Sequence, residues 1–463
     1  MDYLNEITNQ FSSLAWGIPL LILLIGGGLY LLIISRFLPF MFFGHAIKVL
    51  SGTYDNPNDP GEISHFKALT TALSSTIGMG NIAGVALAIS VGGPGAMFWM
   101  WVTAIVGMST KFFTSTLAIM YRGKDSNGDL QGGPMYFITE GLGKHWKFLA
   151  VMFSFFGMLG ALPVVNVNQL KQAINDIILI PNGVEVTLYT NLVIAAVLVI
   201  FTSIVILGGL KRISNMASKM VPSMVILYFI LVLIILAINY TKVPKYFLMI
   251  FTDAFQANYL DPESNKDVLG GVLGALILLG VKRGAFSNEA GIGTAPMAHG
   301  AAKTNEPVRE GLVAMLGPVI DTLIVCTLTA LAILVTGVWE TTSGNGVTLT
   351  ASAFQAAMPG YGQYLLMICI FIFSVSSLFS YAYYGTKCTS FLFGADKKHY
   401  YRYLYIFSII LAATTPFEAM INFIDGVFAL MAIPTMVATI IMAPRVVKEI
   451  KGYRERLKAS NKQ

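Results

Sequence analysis

The feature that most constrains the fold is a long apolar run, residues 64–107, that polar residues and glycines interrupt near its middle. The interruption reads Ser74-Ser75-Thr76-Ile77-Gly78-Met79-Gly80-Asn81, and the apolar run then resumes. About 20 apolar residues form a membrane-spanning helix, and irregular backbone is tolerated at that depth only where protein or a cavity surrounds it. Interrupted helices of this kind hold substrate and ions in transporters. The run therefore predicts a binding site on a broken helix, 65–91.

Composition supports a membrane protein. Hydrophobic residues make up 55% of the chain and charged residues 12%, whereas soluble domains contain about 25% charged residues. A soluble protein of several domains would need far more polar surface. Cys326, Cys369 and Cys388 all lie in predicted spans, so we expect buried free thiols and no disulfide framework.

The apolar runs predict an all-α membrane protein with eleven spans, one leading helix followed by ten others. An aromatic, amphipathic segment and a loop separate the leading helix from the rest, and the last span is followed by a basic tail. The predicted spans are 14–36, 65–91, 94–121, 147–178, 186–209, 213–239, 268–299, 310–337, 361–392, 402–415 and 420–443.

Basic residues orient these spans. Of the 30 lysines and arginines, the loops of one side hold only Lys242, Lys245 and Lys266, and a few others fall within spans. The remaining ones lie on the other side, which the positive-inside rule assigns to the cytoplasm. We therefore expect a plasma-membrane protein with an outside N-terminus and a cytoplasmic C-terminus. The basic charge then serves topology and lipid headgroups, and no nucleic acid is expected.

The ten later spans divide into two halves of five, and an odd number gives the halves opposite orientations. The second half opens with a second interrupted span, 268–299, which reads Leu279-Gly280-Val281-Lys282-Arg283-Gly284 near its centre. Paired interrupted helices in inverted halves indicate a site at the midplane. Helix packing through small residues explains the glycines but not the polar residues beside them. The expected units are 1–63, 64–240, 241–444 and 445–463.

Three stretches carry a resemblance to a known family. Residues 92–107, GGPGAMFWMWVTAIVG, resemble the signature of the sodium:alanine symporter family, the alanine or glycine:cation symporters. Residues 75–84 and 282–296 are also similar to that family. The resemblance implies a leucine-transporter-like fold of five-plus-five inverted repeats with an added N-terminal helix. It also implies sodium-coupled uptake of alanine and glycine.

A zwitterionic substrate needs a partner for each charge. The helix that restarts after the first break directs free N–H groups of Gly78, Met79 and Gly80 toward the midplane, where they favour a carboxylate. Carbonyl groups where the preceding halves end suit an ammonium group or a sodium ion. The expected substrate contacts are Thr76, Ile77, Gly78, Met79, Gly80, Leu279, Gly280 and, from a polar cluster after Pro163, Gln169.

The sodium ligands follow from the resemblance to the wider fold. It implies a first ion beside Thr76 and Asn81. It implies a second ion between the first broken helix and the span 361–392. That second site would use Ser74 and Ile77 with Phe373, Ser376 and Ser377. Hard oxygen ligands of this kind suit sodium, although serines in membrane helices also bond their own backbone.

Charges inside spans are functional candidates. We expect Lys282, Arg283 and Glu289 to form a gate or ion-pair network on the cytoplasmic side. Asp425 is a further charge within a span, and Asp321 is left open between an ion ligand and a proton site. Lys111 and Lys387 are expected to extend to the membrane surface.

Other function classes fit less well. No span carries the continuous polar stripe of a channel, and no catalytic set of an enzyme lies at membrane depth. The alternatives that stay open are a transporter of the same fold for another small substrate, such as a nucleobase or betaine, and a proton-coupled amino-acid transporter.

Overall fold

The protein is helical almost throughout. The computed structural model describes residues 2–261, 268, 271–341, 346–415 and 417–460. The helices of the first part are α1 Asp2–Ala15, α2 Ile18–Ile34, α3 Phe43–Leu50, α4 His65–Thr76, α5 Gly80–Gly92, α6 Gly95–Met120, α7 Lys147–Gly160, α8 Val164–Ile174, α9 Leu188–Ile206, α10 Gly209–Ile238 and α11 Val243–Asp253. Those of the second part are α12 Gly271–Asn288, α13 Ala295–His299, α14 Pro307–Thr336, α15 Val347–Ala357, α16 Gly362–Phe393, α17 Lys398–Thr414 and α18 Phe417–Ser460.

Short elements fill the connections. A small antiparallel hairpin pairs β1 Gly123–Lys124 with β2 Leu130–Gln131. Single helical turns occur at Leu38–Met41, Pro134–Tyr136, Phe137–Leu142, Lys144–Trp146, Asn175–Leu179, Ile180–Asn182, Val338–Thr341 and Ala395–Lys397. Helix α6 is almost wholly buried, and both α12 and α14 pack along it, so it lies at the centre of the core.

The predicted helices are present, but the count of eleven spans is not confirmed. In the part of the chain that the structure describes, seven helices are long and apolar enough to cross a membrane, or nine if each of two bent pairs is one span. Two predicted spans are missing from this count. Helix α17 has only 17 residues, and α12 is more polar because it contains Lys282, Arg283 and Asn288. The predicted start of the span 268–299 lies partly outside the described residues.

The first helix break lies where the sequence predicts it. Helices α4 and α5 bend by 52°, and Ile77 leaves the helical conformation with a ψ of 87°. The second break lies further along the chain than predicted. Helix α12 continues to Asn288, and the break occupies residues 289–294, where Gly291 and Gly293 have φ of 89° and 104°. Glycine adopts such angles without steric cost.

The prediction that Leu279 and Gly280 end a helix half is therefore wrong. Gly280 lies within α12 and packs against α6, so closely that a Cβ would come within 2.7 Å of the Ala96 carbonyl oxygen. Leu279 packs against Gly92 of α5. Small residues of this kind let two membrane helices approach closely, so this glycine serves packing and not a break.

Two lysines also differ from expectation. Lys111 lies in the buried middle of α6 with 2% of its surface exposed. Lys387 is buried as well, and its ammonium donates to the carbonyl oxygens of Gly132 and Met297 at 3.1 Å. Neither lysine extends to the membrane surface, because buried carbonyl groups or carboxylates attract each one. The three cysteines are free and buried, as predicted.

Candidate functional site

The two helix breaks face each other and share one carboxylate, that of Asp321 in a π-helical stretch of α14. The side-chain amide of Asn81, after the first break, donates to this carboxylate. Ser287, before the second break, donates to the same group at 3.2 Å. Asp321 is fully buried, so these donors compensate a charge removed from water. Asp321 thus acts as a brace between both breaks.

Asn81 also forms a hydrogen bond with a backbone N–H group that the sequence predicted to be free for a ligand. Its Oδ1 accepts the backbone N–H of Gly78 at 3.0 Å, so that N–H is not available to a ligand in this arrangement. The same bond replaces the helical bond from Gly78 to the carbonyl oxygen of Ser74. The side-chain oxygen of Asn81, expected to bind sodium, therefore already has a backbone donor.

A cavity of about 20 Å³ adjoins the first break, and we call it the lower pocket. Three predicted substrate contacts line it, namely Thr76, Met79 and Gly80. Its other walls come from α4, α8, α12, α16 and α18 and include Ser75, Asn166, Phe286, Tyr381 and Phe428. Ile77, also predicted, is buried beside it. This volume holds one or two water molecules.

A second cavity of about 30 Å³, the upper pocket, shares Met79, Val165 and Phe286 with the lower one. Gln169, predicted as a substrate contact, lines it together with Arg283. Both amide atoms of Gln169 and the Nε and Nη1 of Arg283 are buried without a hydrogen-bond partner. An unpaired buried polar group costs about 1–3 kcal/mol, so this pocket favours a polar ligand or water.

Above the upper pocket lies an open vestibule of about 930 Å³. Arg283, Leu87 and Ile421 line both spaces and form the floor of the vestibule. Its walls are polar and carry charges of both signs, from Glu6, Lys171, Asp176 and Glu418. The vestibule and the two pockets therefore lie one after another between the α1 side of the protein and the helix breaks, with shared side chains between neighbouring cavities.

The prediction that Lys282, Arg283 and Glu289 form one network is wrong. Lys282 Nζ and Arg283 Nη2 both contact Asp425 Oδ2, at 2.8 and 3.2 Å. These three residues, the gate cluster, lie beside α1 and the vestibule, because Lys282 also donates to Ser12 at 2.9 Å. They are on the side opposite the basic tail, not on the tail side. The acidic partner of both cations is therefore Asp425 and not the predicted Glu289.

Glu289 instead lies below the lower pocket. Its carboxylate accepts hydrogen bonds from Tyr381 of α16, from Thr294 at the start of α13, and from Ser75 of α4 at 3.4 Å. It therefore connects the first broken helix, the second break and α16. Its φ of 53° is unusual for a residue other than glycine, which fits its position at the break itself.

Of the two α16 serines predicted to bind sodium, only Ser377 faces the first break. A Cβ on Gly78 would lie 2.6 Å from Ser377 Oγ, whereas Ser376 Oγ contacts Met224 of α10 at 3.6 Å. Ser376 therefore points away from the break. Both hydroxyls donate to the Phe373 carbonyl oxygen at 3.0 Å.

Further hydroxyls of α16 lie near Ser377, and they are not among the predicted sodium ligands. Ser380, one turn later, hydrogen-bonds to Ser74 Oγ and to the Thr71 carbonyl oxygen. Ser374, one turn earlier, is buried and its hydroxyl has no partner. Helical spacing of three residues could have identified both, since i and i+3 share a face.

The tail side of the breaks is sealed. Arg122 donates to the carbonyl oxygens of Pro60, Gly300 and Ala302, which lie next to α4 and α13. Backbone bonds link the same two segments, including Lys303 N–H to the Ile63 carbonyl oxygen at 2.7 Å. At the tail-side ends of α4 and α13, the buried His65 and His299 share the carboxylate of Glu310. No comparable set of contacts closes the vestibule among the described residues.

Known proteins share the sequence pattern and the fold of this chain. The sodium:alanine symporter family matches residues 1–463. The sodium/alanine symporter AgcS of Methanococcus maripaludis is 39% identical, over 98% of both chains. The probable sodium/glutamine symporter GlnT of Bacillus subtilis is 32% identical, over 98% of this chain and 92% of its own. The crystal structure of MhsT in complex with L-phenylalanine has the same fold, with a TM-score of 0.60 at 14% identity, and the match covers 84% of this chain and 98% of that one. The chain is a multi-pass membrane transporter that belongs to the sodium:alanine symporter family.

Proposed function

We propose that this protein is a secondary active symporter that couples sodium entry to the uptake of small neutral amino acids, alanine and glycine, by alternating access. One observation carries the proposal. Two helix breaks meet at small pockets that only a floor of three side chains separates from a vestibule on one side, whereas a set of hydrogen bonds seals the other side. A binding site accessible from one side at a time is what alternating access requires.

The size of the pockets favours small substrates. The lower and upper pockets are about 20 and 30 Å³ as they stand, and Met79, Val165 and Phe286 separate them. An amino acid with a methyl side chain would need only a modest separation of these side chains. Its carboxylate would lie near Met79 and Gly80, with Gln169 as a further polar contact. The eleven-span, five-plus-five arrangement with an added N-terminal helix is part of this proposal.

Sodium would bind near Ser377, where hydroxyl groups of α16 face the first break. Ser374 contributes an unpaired hydroxyl on the same helix face, and the Ser74 carbonyl oxygen lacks its helical donor because Gly78 bonds to Asn81. One cation crossing about 100 mV supplies about 2.3 kcal/mol. That free energy supports an accumulation of roughly 50-fold per ion, at about 1.36 kcal/mol per tenfold.

Uptake of labelled alanine into proteoliposomes tests the proposal. We expect an inward sodium gradient to drive accumulation and its collapse to abolish accumulation. Unlabelled glycine should compete with alanine, whereas glutamine, betaine and nucleobases should not. Accumulation that follows a pH gradient and ignores sodium would contradict sodium coupling, and it would favour the proton-coupled alternative with Asp321 or Glu289 as the proton site.

A further inference from the structure

Helix α1 contacts both sides of the gate cluster. Trp16, the residue that follows α1, donates its indole N–H to the Asp425 carbonyl oxygen of α18 at 2.8 Å. Ser12 of α1 accepts a hydrogen bond from Lys282 of α12 at 2.9 Å. Both Ser12 and Trp16 are buried. Helix α1 and the residue that follows it thus hold the acidic residue of the gate cluster and one of its two basic residues.

The gate cluster needs such support because it contains two positive charges and only one negative charge. Two cations share the single oxygen Oδ2 of a fully buried Asp425, and Oδ1 has no hydrogen-bond partner. A buried ion pair is stable only when further hydrogen bonds satisfy its charged groups. Ser12 supplies an acceptor for the surplus ammonium group, and Trp16 fixes the backbone from which the carboxylate projects.

Packing fixes α1 to α18. Phe11 lies against the backbone of Gly426, where any Cβ would collide with its ring, and it also packs near Phe423. Along its length α1 packs chiefly on α18. Ser12 is therefore carried with α18, so that its bond to Lys282 is an additional link across the gap between α18 and α12.

We propose that Ser12 and Trp16 are positioning residues that hold the gate cluster closed over the upper pocket, and that α1 is a clamp on the vestibule side. The term gate rests on the proposed transport function. The contacts predict that loss of either hydrogen bond favours separation of α12 from α18. The upper pocket then becomes accessible from the vestibule more often.

Accessibility of a cysteine at Ala83, which lines the upper pocket, tests this proposal in the purified, detergent-solubilised full chain. We expect Ser12→Ala to raise the rate of Ala83→Cys modification by a small thiosulfonate roughly tenfold or more, in keeping with the loss of a hydrogen bond to a charged group. Ser13→Ala is the matched control, because Ser13 is the exposed neighbour. The chain without the added cysteine gives the background from the three buried native thiols.

Two further variants separate a positioning role from a general loss of structure. Ser12→Thr keeps a hydroxyl and should return the rate to that of the parent. Trp16→Phe keeps an aromatic ring without the N–H donor and should raise the rate as Ser12→Ala does. Equal rates for Ser12→Ala and Ser13→Ala, or an elevated rate for Ser12→Thr, would overturn the proposal. If Ser12→Ala does not fold, Trp16→Phe decides alone. The labelling does not depend on substrate, so failure of sodium-driven alanine uptake would refute the proposed function and leave this test intact.

Discussion

At the scale of single residues, the first break depends on a glycine that faces a hydroxyl. The Cβ of any other residue at position 78 would lie only 2.6 Å from Ser377 Oγ. We expect Gly78→Ala to displace Ser377 and to weaken the binding of both alanine and sodium at least tenfold. Equilibrium binding of labelled alanine at a series of sodium concentrations measures both. Gly44→Ala is the control, since a Cβ there meets no atom within 4 Å. Unchanged affinity in Gly78→Ala would place the site elsewhere.

The adjacent serines of α16 provide a second test at this scale. Ser377 faces the first break, whereas Ser376 contacts Met224. Ser377→Ala should weaken alanine binding in a manner that high sodium restores, because ion and substrate binding are reciprocally linked. Ser376→Ala should bind like the wild type. A sodium titration of alanine binding at two pH values measures both, and equal behaviour of the two variants would remove Ser377 from the ion site.

At the scale of elements, the tail-side seal joins the inner halves of both broken helices. Arg122, after α6, holds the backbone next to α4 and α13 together through three carbonyl oxygens. A hydrogen bond to a charged group contributes about 1.5–3 kcal/mol. Loss of this side chain therefore shifts the equilibrium between sealed and open tail sides.

We expect Arg122→Gln to increase the modification rate of a cysteine at Ala301 at least tenfold, since about 1.4 kcal/mol corresponds to a tenfold change in an equilibrium. Ala301 is buried in this seal. Lys124→Gln removes a nearby exposed charge and should leave the rate unchanged. A similar rate in both variants would show that Arg122 does not hold the seal.

At the scale of the whole molecule, the distribution of basic residues predicts its orientation in the membrane. The vestibule lies on the α1 side and the seal on the side of the basic loops and tail. With the predicted orientation, the vestibule opens to the outside. An exposed cysteine at Tyr3 should then react with an impermeant maleimide in intact cells, whereas one at Lys458 should react only after lysis. The opposite pattern would reverse the topology.

Local sequence was informative about the first break and less so about the second. Apolar residues flank Ser74–Asn81 on both sides, so the interruption stands out through the polar residues beside its glycines. At the second interrupted span, Gly280 and Gly284 lie within α12, whereas Gly291 and Gly293 lie in the break that follows it. Only the tertiary structure distinguishes the two pairs. The first pair packs against α6, and the second pair adopts positive φ.

The sequence by itself determined the helical membrane architecture, the family, the first break and the residues around it, because hydropathy and glycine placement are local properties. The tertiary structure decided which charges pair. Lys282 and Arg283 meet Asp425 because α18 and not the second break lies beside them, and Glu289 meets Tyr381 because α16 crosses below the pocket. It also decided that Ser377 and not Ser376 faces Gly78, since the rotation of a long buried helix depends on the neighbours packed around it and not on the residues of the helix alone.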